Sequence, residues 1–131
     1  MQDKEFEGKN LLQVILQNAA LRNQWEKEVG DFSRQNHLSK ELYGNDLRHQ
    51  YAAAIAARNL GENKTRMLGN LNEIVNSSGG DKLDREIDKF NNEIGIKYGL
   101  NYPLMTKQQL LEQLYNDHSK NRETRKQQLG Y

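Results

Sequence analysis

Residues 46–60 constrain the fold of this chain more than any other segment, because they are apolar on nearly every side of a helix. Two stripes lie on opposite sides of that helix, one of Leu47, Tyr51, Ala54 and Ile55 and one of His49, Ala53, Ala56 and Leu60. A helix with two such sides belongs in the middle of a bundle, where small alanines let neighbouring helices approach closely. We therefore expect a central helix over residues 46–60, ended by Gly61.

Two polar residues, Arg48 and His49, interrupt this central helix. Such groups are costly to remove from water unless they are bonded, so both imply partners elsewhere in the fold. A neutral His49 imidazole can act as a general base near physiological pH, or it can be a core histidine bonded to a carboxylate or a backbone carbonyl. Arg48 can bind a phosphate or carboxylate ligand, or it can pair with Glu73 or Asp88.

The segment before the central helix predicts one helix and a long connection. Apolar residues recur at helical spacing from residue 11 to about residue 28, and Gly30 is the expected stop. Residues 31–45 lose that periodicity, so we expect a connection with one short turn there, in which Gly44 or Asn45 caps the central helix.

Three further helices are expected after the central one. The first spans residues 63–75 and is broken by residues 77–80. The second spans residues 81–98, and we expect Gly99 to close it. The third begins after a Thr106 cap, and its apolar stripe consists of Leu110, Leu111, Leu114 and Tyr115.

Length and patterning together define the fold class. At 131 residues the chain suits one domain with a core of its own. No segment alternates apolar and polar residues convincingly, so we do not expect a sheet. The prediction is an all-α, single-domain bundle of about five helices around residues 46–60. Its core covers about residues 10–117, and a polar tail covers about residues 118–131.

The charge balance argues against nucleic acid as a partner. The net charge is +1, from 19 basic and 18 acidic side chains, so no overall field attracts a polyanion or an anionic membrane. Four basic residues cluster in the tail: Lys120, Arg122, Arg125 and Lys126. We interpret this cluster as a solvated helix end, because aromatic residues do not alternate with the basic ones and Glu123 interrupts them.

Several chemistries are excluded by what the sequence lacks. The chain has no cysteine, which removes disulfides, thiolate metal sites and thiol nucleophiles. It also lacks the HExxH, GxSxG, phosphate-loop and calcium-loop patterns, and neither His37 nor His118 has a partner at metal spacing. The first seven residues lack the features of a secretory signal, and no apolar run reaches transmembrane length. An exported protein of which this chain is one part remains an open alternative.

The helix over residues 81–98 carries polar residues in a narrow arc beside its apolar stripe. These are Asp84, Asp88 and Asn91, followed on the same arc by Gly95. A border position of this kind can aim carboxylates into a cleft, and Gly95 leaves room for a ligand or a neighbouring helix. The alternative is an acidic N-terminal half that is favoured by the helix dipole and by pairing with nearby cations.

Glu73 lies opposite an apolar stripe on its own helix, which predicts an acid that faces solvent. If that helix is covered on both sides, Glu73 can meet His49. A histidine and carboxylate pair of this kind suits hydrolysis or the binding of a hard divalent cation.

Four short motifs follow one another in this chain: Asp46-x-Arg48-His49, Arg58-x-Leu60-Gly61, Asn72-Glu73 and Asp88-x-x-Asn91-Asn92-x-x-Gly95. In this order they resemble a largely uncharacterised helical domain found at the ends of bacterial polymorphic-toxin proteins and in phage-related proteins, and the resemblance covers about residues 45–99. It implies one cleft lined by Arg48, His49, Glu73, Asp88, Asn91 and Asn92. This chain departs from that domain in having Asn72 in place of a histidine and no tryptophan at residues 50–52.

Two functions follow as expectations. The first is an effector or toxin domain that acts as a hydrolase, with His49 as base and Glu73 or Asp88 orienting it or a bound divalent cation. The resemblance assigns substrate binding to Arg48, Asn91 and Asn92, and a toxin implies a cognate immunity protein as partner. This function requires a polar cleft open to water.

The second function is a non-enzymatic helical module that binds another protein through an exposed groove. In that case Arg48, His49 and Asp88 form a buried network that fixes helix register, and they satisfy one another without a cavity.

Overall fold

The structure, a computed structural model, describes residues 11–38, 46–68 and 82–130. Those residues form six helices and no strand: α1 (Leu11–Gln35), α2 (Arg48–Leu60), α3 (residues 62–68), α4 (Lys82–Asn101), α5 (Lys107–Asn116) and α6 (His118–Leu129). The predicted all-α bundle is confirmed. Within the described ranges, each helix is too short or too polar to cross a membrane.

Helix α2 lies at the centre, as its two apolar stripes predict. Leu47, Tyr51 and Ala54 are fully buried on one side, and Ala53 and Leu60 are buried on the other. The helix contacts α1, α4 and α5. At its end Gly61 has a φ of +85°, and its N–H donates to the Ala57 carbonyl oxygen at 2.9 Å. A positive φ is readily adopted only by glycine, which confirms the predicted stop.

Among the described residues, the most extensive contact between two helices joins α2 to α4. It repeats every four residues on both helices: Asp46 meets Asn91, Gln50 meets Gly95, and Ala54 meets Gly99. Rows of residues four apart are the ridges that interlock in the commonest class of helix packing. Because successive contacts advance along both helices together, α2 and α4 run in the same direction.

Two glycines predicted as helix stops lie inside helices instead. Helix α1 continues through Gly30 to Gln35, so residues 31–35 are helical and not part of a connection. Helix α4 continues through Gly99 to Asn101. A Cβ at position 99 would collide with the Ala54 backbone, so Gly99 is required by the neighbouring helix and does not end its own.

The contact face of α4 also differs from the predicted one. The apolar stripe that helical spacing predicts on this helix includes Ile87, Phe90, Ile94 and Tyr98, of which Tyr98 is buried and the other three are half-buried. Asn91 and Gly95, placed by the sequence at the core's edge, are buried against α2. Glycine and a hydrogen-bonded amide allow a closer approach than branched side chains. The face of α4 that the sequence places at the edge of the core is therefore the face that packs against α2.

The structure confirms the prediction for the start of α5 and corrects the prediction for α6. Thr106 caps α5 as predicted, since its side chain accepts from the Gln109 N–H at 3.1 Å while the Gln109 side chain accepts from the Thr106 N–H at 3.0 Å. The prediction that the four tail cations are solvated is wrong for two of them. Arg122 and Arg125 of α6 bind Asp46, which is buried at the start of α2.

Three sequence predictions lie partly or wholly outside the described residues. They are the Gly44 or Asn45 cap, the break at residues 77–80, and the second half of the helix predicted over residues 63–75. The described part of that helix is α3, which lies beside α4 because the Arg66 guanidinium donates to both carboxylate oxygens of Glu93.

Candidate functional site

His49 and Asp88 meet across the α2–α4 contact. The His49 Nε2 lies 3.5 Å from the Asp88 Oδ1, and each side chain is 26% exposed. The distance is at the long end for a hydrogen bond, and the exposure leaves the pair within reach of water. Two of the three residues predicted as catalytic are therefore neighbours, although 39 positions separate them in the sequence.

The atoms that face each other determine what the pair can do chemically. A neutral imidazole that carries its proton on Nε2 directs it toward Asp88 and keeps a lone pair on Nδ1. A carboxylate in this position holds the ring in one tautomer and stabilises the imidazolium that forms when Nδ1 takes a proton. A pair of this kind is compatible with a general base and its orienting acid and also with a structural ion pair.

Asn91 lies one turn along α4 from Asp88 and is 1% exposed. Its Oδ1 accepts from the Gln50 Nε2 at 2.9 Å, and its Nδ2 donates to the Asp46 Oδ1 at 3.1 Å. Both ends of the amide are thus used inside the protein. The sequence suggests substrate binding for Asn91, and the structure places it as a bridge between α4 and the start of α2.

Asp46 is the centre of this buried network, with a side chain that is 5% exposed. Its Oδ2 accepts from the Arg122 Nε at 2.8 Å, and its Oδ1 accepts from the Arg125 Nη1 at 3.3 Å. A buried carboxylate is tolerated when it is paired and hydrogen-bonded in this way. Asp46, Arg122 and Arg125 are absent from the predicted site, because a polar helix without an apolar stripe gives no signal of a buried partner.

Arg48 faces a different helix from the one proposed for it. Its Nε lies 4.0 Å from the Glu26 Oε1 of α1, and its side chain is 40% exposed. Among the described residues its ion-pair partner is therefore Glu26 and not Asp88. Asn92 is half-buried on α4, and Glu73 lies outside the described residues.

The structure offers no cluster for a metal in its described part, where no three histidine, aspartate or glutamate side chains converge. The His49–Asp88 pair supplies one imidazole and one carboxylate. The divalent cation stays a prediction that depends on a further ligand.

A second polar cluster fixes the opposite side of α2. The buried Tyr51 hydroxyl donates to Glu28 of α1, and the Lys107 Nζ donates to the same carboxylate at 3.2 Å. Burial, strengthened by the Glu28 hydrogen bond and charge, raises the pKa of Tyr51 well above its usual value. The hydroxyl therefore keeps its proton and serves as a donor that joins α1 to α2.

Three further hydrogen bonds hold the end of α4 and the residues that follow it. The Arg58 guanidinium of α2 donates to the carbonyl oxygens of Tyr102 and Met105, the latter at 2.6 Å, and burial lowers the pKa of Arg58. The Tyr98 hydroxyl donates to the Asp117 Oδ2 at 2.6 Å. Burial and this bond raise the pKa of Tyr98 to about 12, and the same bond lowers the pKa of Asp117.

No family model matches this chain, and no curated protein or solved structure matches it either. The resemblance to the polymorphic-toxin domain therefore depends on the order of the four motifs alone.

Proposed function

We propose that this chain is an effector domain of bacterial or phage origin that acts as a hydrolase, with His49 as general base and Asp88 as the acid that orients it. The observation that supports the proposal is the 3.5 Å separation of the His49 Nε2 and the Asp88 Oδ1, with both side chains partly open to water. The two residues come from different helices, and the motif order places them in one polar set.

In the proposed reaction the Nδ1 of His49 takes a proton from a water molecule, and the water oxygen attacks an electrophilic centre of the substrate. Asp88 stabilises the imidazolium until the proton passes to the leaving group. Asn92 is the proposed substrate contact, because it follows Asp88 by one turn of α4. Arg48 faces Glu26 of α1 and is left out of this set. Glu73 and a divalent cation are the proposed additions to this set.

The test is growth of bacteria that express the chain in the cytoplasm or, behind an added signal peptide, in the periplasm. We expect growth inhibition in one compartment, lost in both His49→Ala and Asp88→Asn at matched soluble yield. His37→Asn is the matched control, because His37 is exposed in the turn after α1, with a φ of +54° that asparagine tolerates. Normal growth with the unaltered chain in both compartments would reject the proposal.

A second candidate is the helical protein-binding module, in which buried polar residues only fix helix register. The predicted network of Arg48, His49 and Asp88 is wrong in its members, because all three side chains are partly exposed and Arg48 faces α1. A buried network is instead made by Asp46, Asn91 and Gln50, whose hydrogen bonds stay within the protein, and this observation favours the second candidate. The two functions predict different stabilities for the His49→Ala variant. An unpaired structural partner costs about 1–3 kcal/mol of unfolding free energy, whereas removal of a catalytic group often costs little or stabilises.

A further inference from the structure

We propose that α6 is a working part of the candidate site, because Arg122 and Arg125 hold Asp46 as a positioning residue for the His49–Asp88 pair. Its catalytic meaning rests on the proposed function, while the coupling between α6 and His49 can be measured without any activity. Helix α6, predicted from the sequence to be a solvated tail, would then have a role at the site.

Asp46 can position the pair because α2 and α4 each carry one residue of the Asp46–Asn91 contact and one residue of the His49–Asp88 pair. Asp46 precedes His49 by three residues at the start of α2, and Asp88 precedes Asn91 by three residues on α4. The Asn91 Nδ2 is bonded to Asp46 at 3.1 Å, and Asp88 lies 3.5 Å from His49. Any sliding of α4 against α2 that breaks the first contact therefore changes the second.

The α2–α4 contact combines close packing with buried polar bonds. Gly95 and Gly99 lie against the backbone of α2 and let the two helices approach closely. Buried polar bonds are satisfied in one register only, so they fix how α4 is aligned along α2. Asn91 makes two such bonds, with Asp46 and with Gln50, at the end of the contact nearest the pair.

Asp46 can serve in this way only while its charge is neutralised. Arg122 and Arg125 approach it from α6, at 2.8 Å and 3.3 Å, and no other cation contacts its carboxylate among the described residues. A buried carboxylate that loses both cations favours a position nearer water, and it then pulls the start of α2 away from Asn91. The two arginines thus act on His49 through Asp46.

The experiment uses the side-chain NMR signals of the histidines in the full chain. The chain has three histidines, and a single replacement of each assigns its signal. In Arg122→Gln/Arg125→Gln we expect the His49 imidazole signals to move toward their positions in Asp88→Asn. The His37 signals stay unchanged, and His118, bonded to the Tyr115 carbonyl oxygen at 2.9 Å, reports whether the start of α6 remains in place.

The matched control is Lys120→Gln/Lys126→Gln, which removes the same charge from exposed positions of α6. Arg122→Lys/Arg125→Lys restores charge without the guanidinium fork and should return the His49 signals part of the way. If the arginine variant is unfolded, Asp46→Asn keeps the shape of the side chain and removes the charge. Unchanged His49 signals in a folded variant, or equal shifts in the lysine control, would overturn the proposal.

Growth inhibition then separates this proposal from the proposed function. If His49 signals move and the unaltered chain never inhibits growth, α6 positions the pair and the hydrolase proposal fails. If the chain inhibits growth and His49 signals are unaffected by the arginine variant, the hydrolase proposal survives and the role of α6 is rejected.

Discussion

Gly95 of α4 lies so close to Gln50 of α2 that a methyl group at position 95 would overlap the Gln50 carbonyl oxygen. The same methyl carbon would lie 2.7 Å from the Ala53 Cβ. Both obstacles belong to the backbone or to a side chain that cannot rotate away. The absence of a side chain at this position therefore sets the distance between the two helices that carry His49 and Asp88.

Gly95→Ala should force α2 and α4 apart and lower the unfolding free energy by about 1–3 kcal/mol or more, because overpacking shifts backbone. Gly30→Ala is the control, since its Cβ would meet only the flexible Arg34 side chain, at 3.4 Å. There the better helix propensity of alanine should stabilise the protein by up to about 1 kcal/mol. Urea denaturation measures both, and a neutral Gly95→Ala would contradict the close contact.

Asp46→Ala should destabilise the protein by about 1–3 kcal/mol, because it removes the buried carboxylate that accepts hydrogen bonds from Asn91, Arg122 and Arg125. Asp31→Ala removes the partner of Arg34, an exposed ion pair on α1, and should change little. Urea denaturation at low and high salt distinguishes the two sites further, since salt screens the exposed pair more strongly. Equal effects would mean that Asp46 is not the centre of a buried network.

Stability should fall as pH rises through the range between 10 and about 12. Tyr98 has a folded pKa of about 12 against an ordinary value of 10.0, so the folded protein binds more protons in this range than the unfolded chain does. This contribution is complete below pH 10 and is lost as pH rises through the folded pKa. Tyr98→Phe should reduce the slope of unfolding free energy against pH, measured by urea denaturation at a series of pH values, and an unchanged slope would contradict the raised pKa of Tyr98.

Arg58→Lys should loosen the connection between α4 and α5. Lysine keeps the charge but cannot reach the Tyr102 and Met105 carbonyl oxygens with a planar fork, so at least one bond is lost. We expect faster hydrogen exchange at residues 102–106 and an unfolding free energy lower by about 1–3 kcal/mol. Arg34→Lys is the control on the exposed face of α1, and exchange unchanged by Arg58→Lys would show that other contacts hold the connection.

How far the sequence predicts this fold depends on whether a residue acts within its own helix. The periodicity of residues 46–60 and the positive φ of Gly61 are local properties, and both were predicted correctly. Gly30 and Gly99 look identical to Gly61 in sequence, yet they lie inside helices. What distinguishes Gly99 is the Ala54 backbone beside it, which no local pattern reveals.

The same limit applies to the candidate site. The motif order placed His49 and Asp88 in one set, and they are neighbours. Helical periodicity gives the face on which Arg48 lies but not which helix covers that face, so its contact with Glu26 was not predicted. Arg122 lies 76 positions from Asp46, and a polar helix without an apolar stripe gives no signal of a buried partner at that distance.

The ion pairs between α6 and Asp46 impose an order on how the protein is made. During synthesis α2 and α4 leave the ribosome before α6, so Asp46 has neither arginine while the two helices first meet. A nascent chain at that stage can bury its alanines and glycines, but it has not yet neutralised the acid between them. We therefore expect the ion pairs of Asp46, and with them the final alignment of α2 and α4, to form only after Arg122 and Arg125 have emerged.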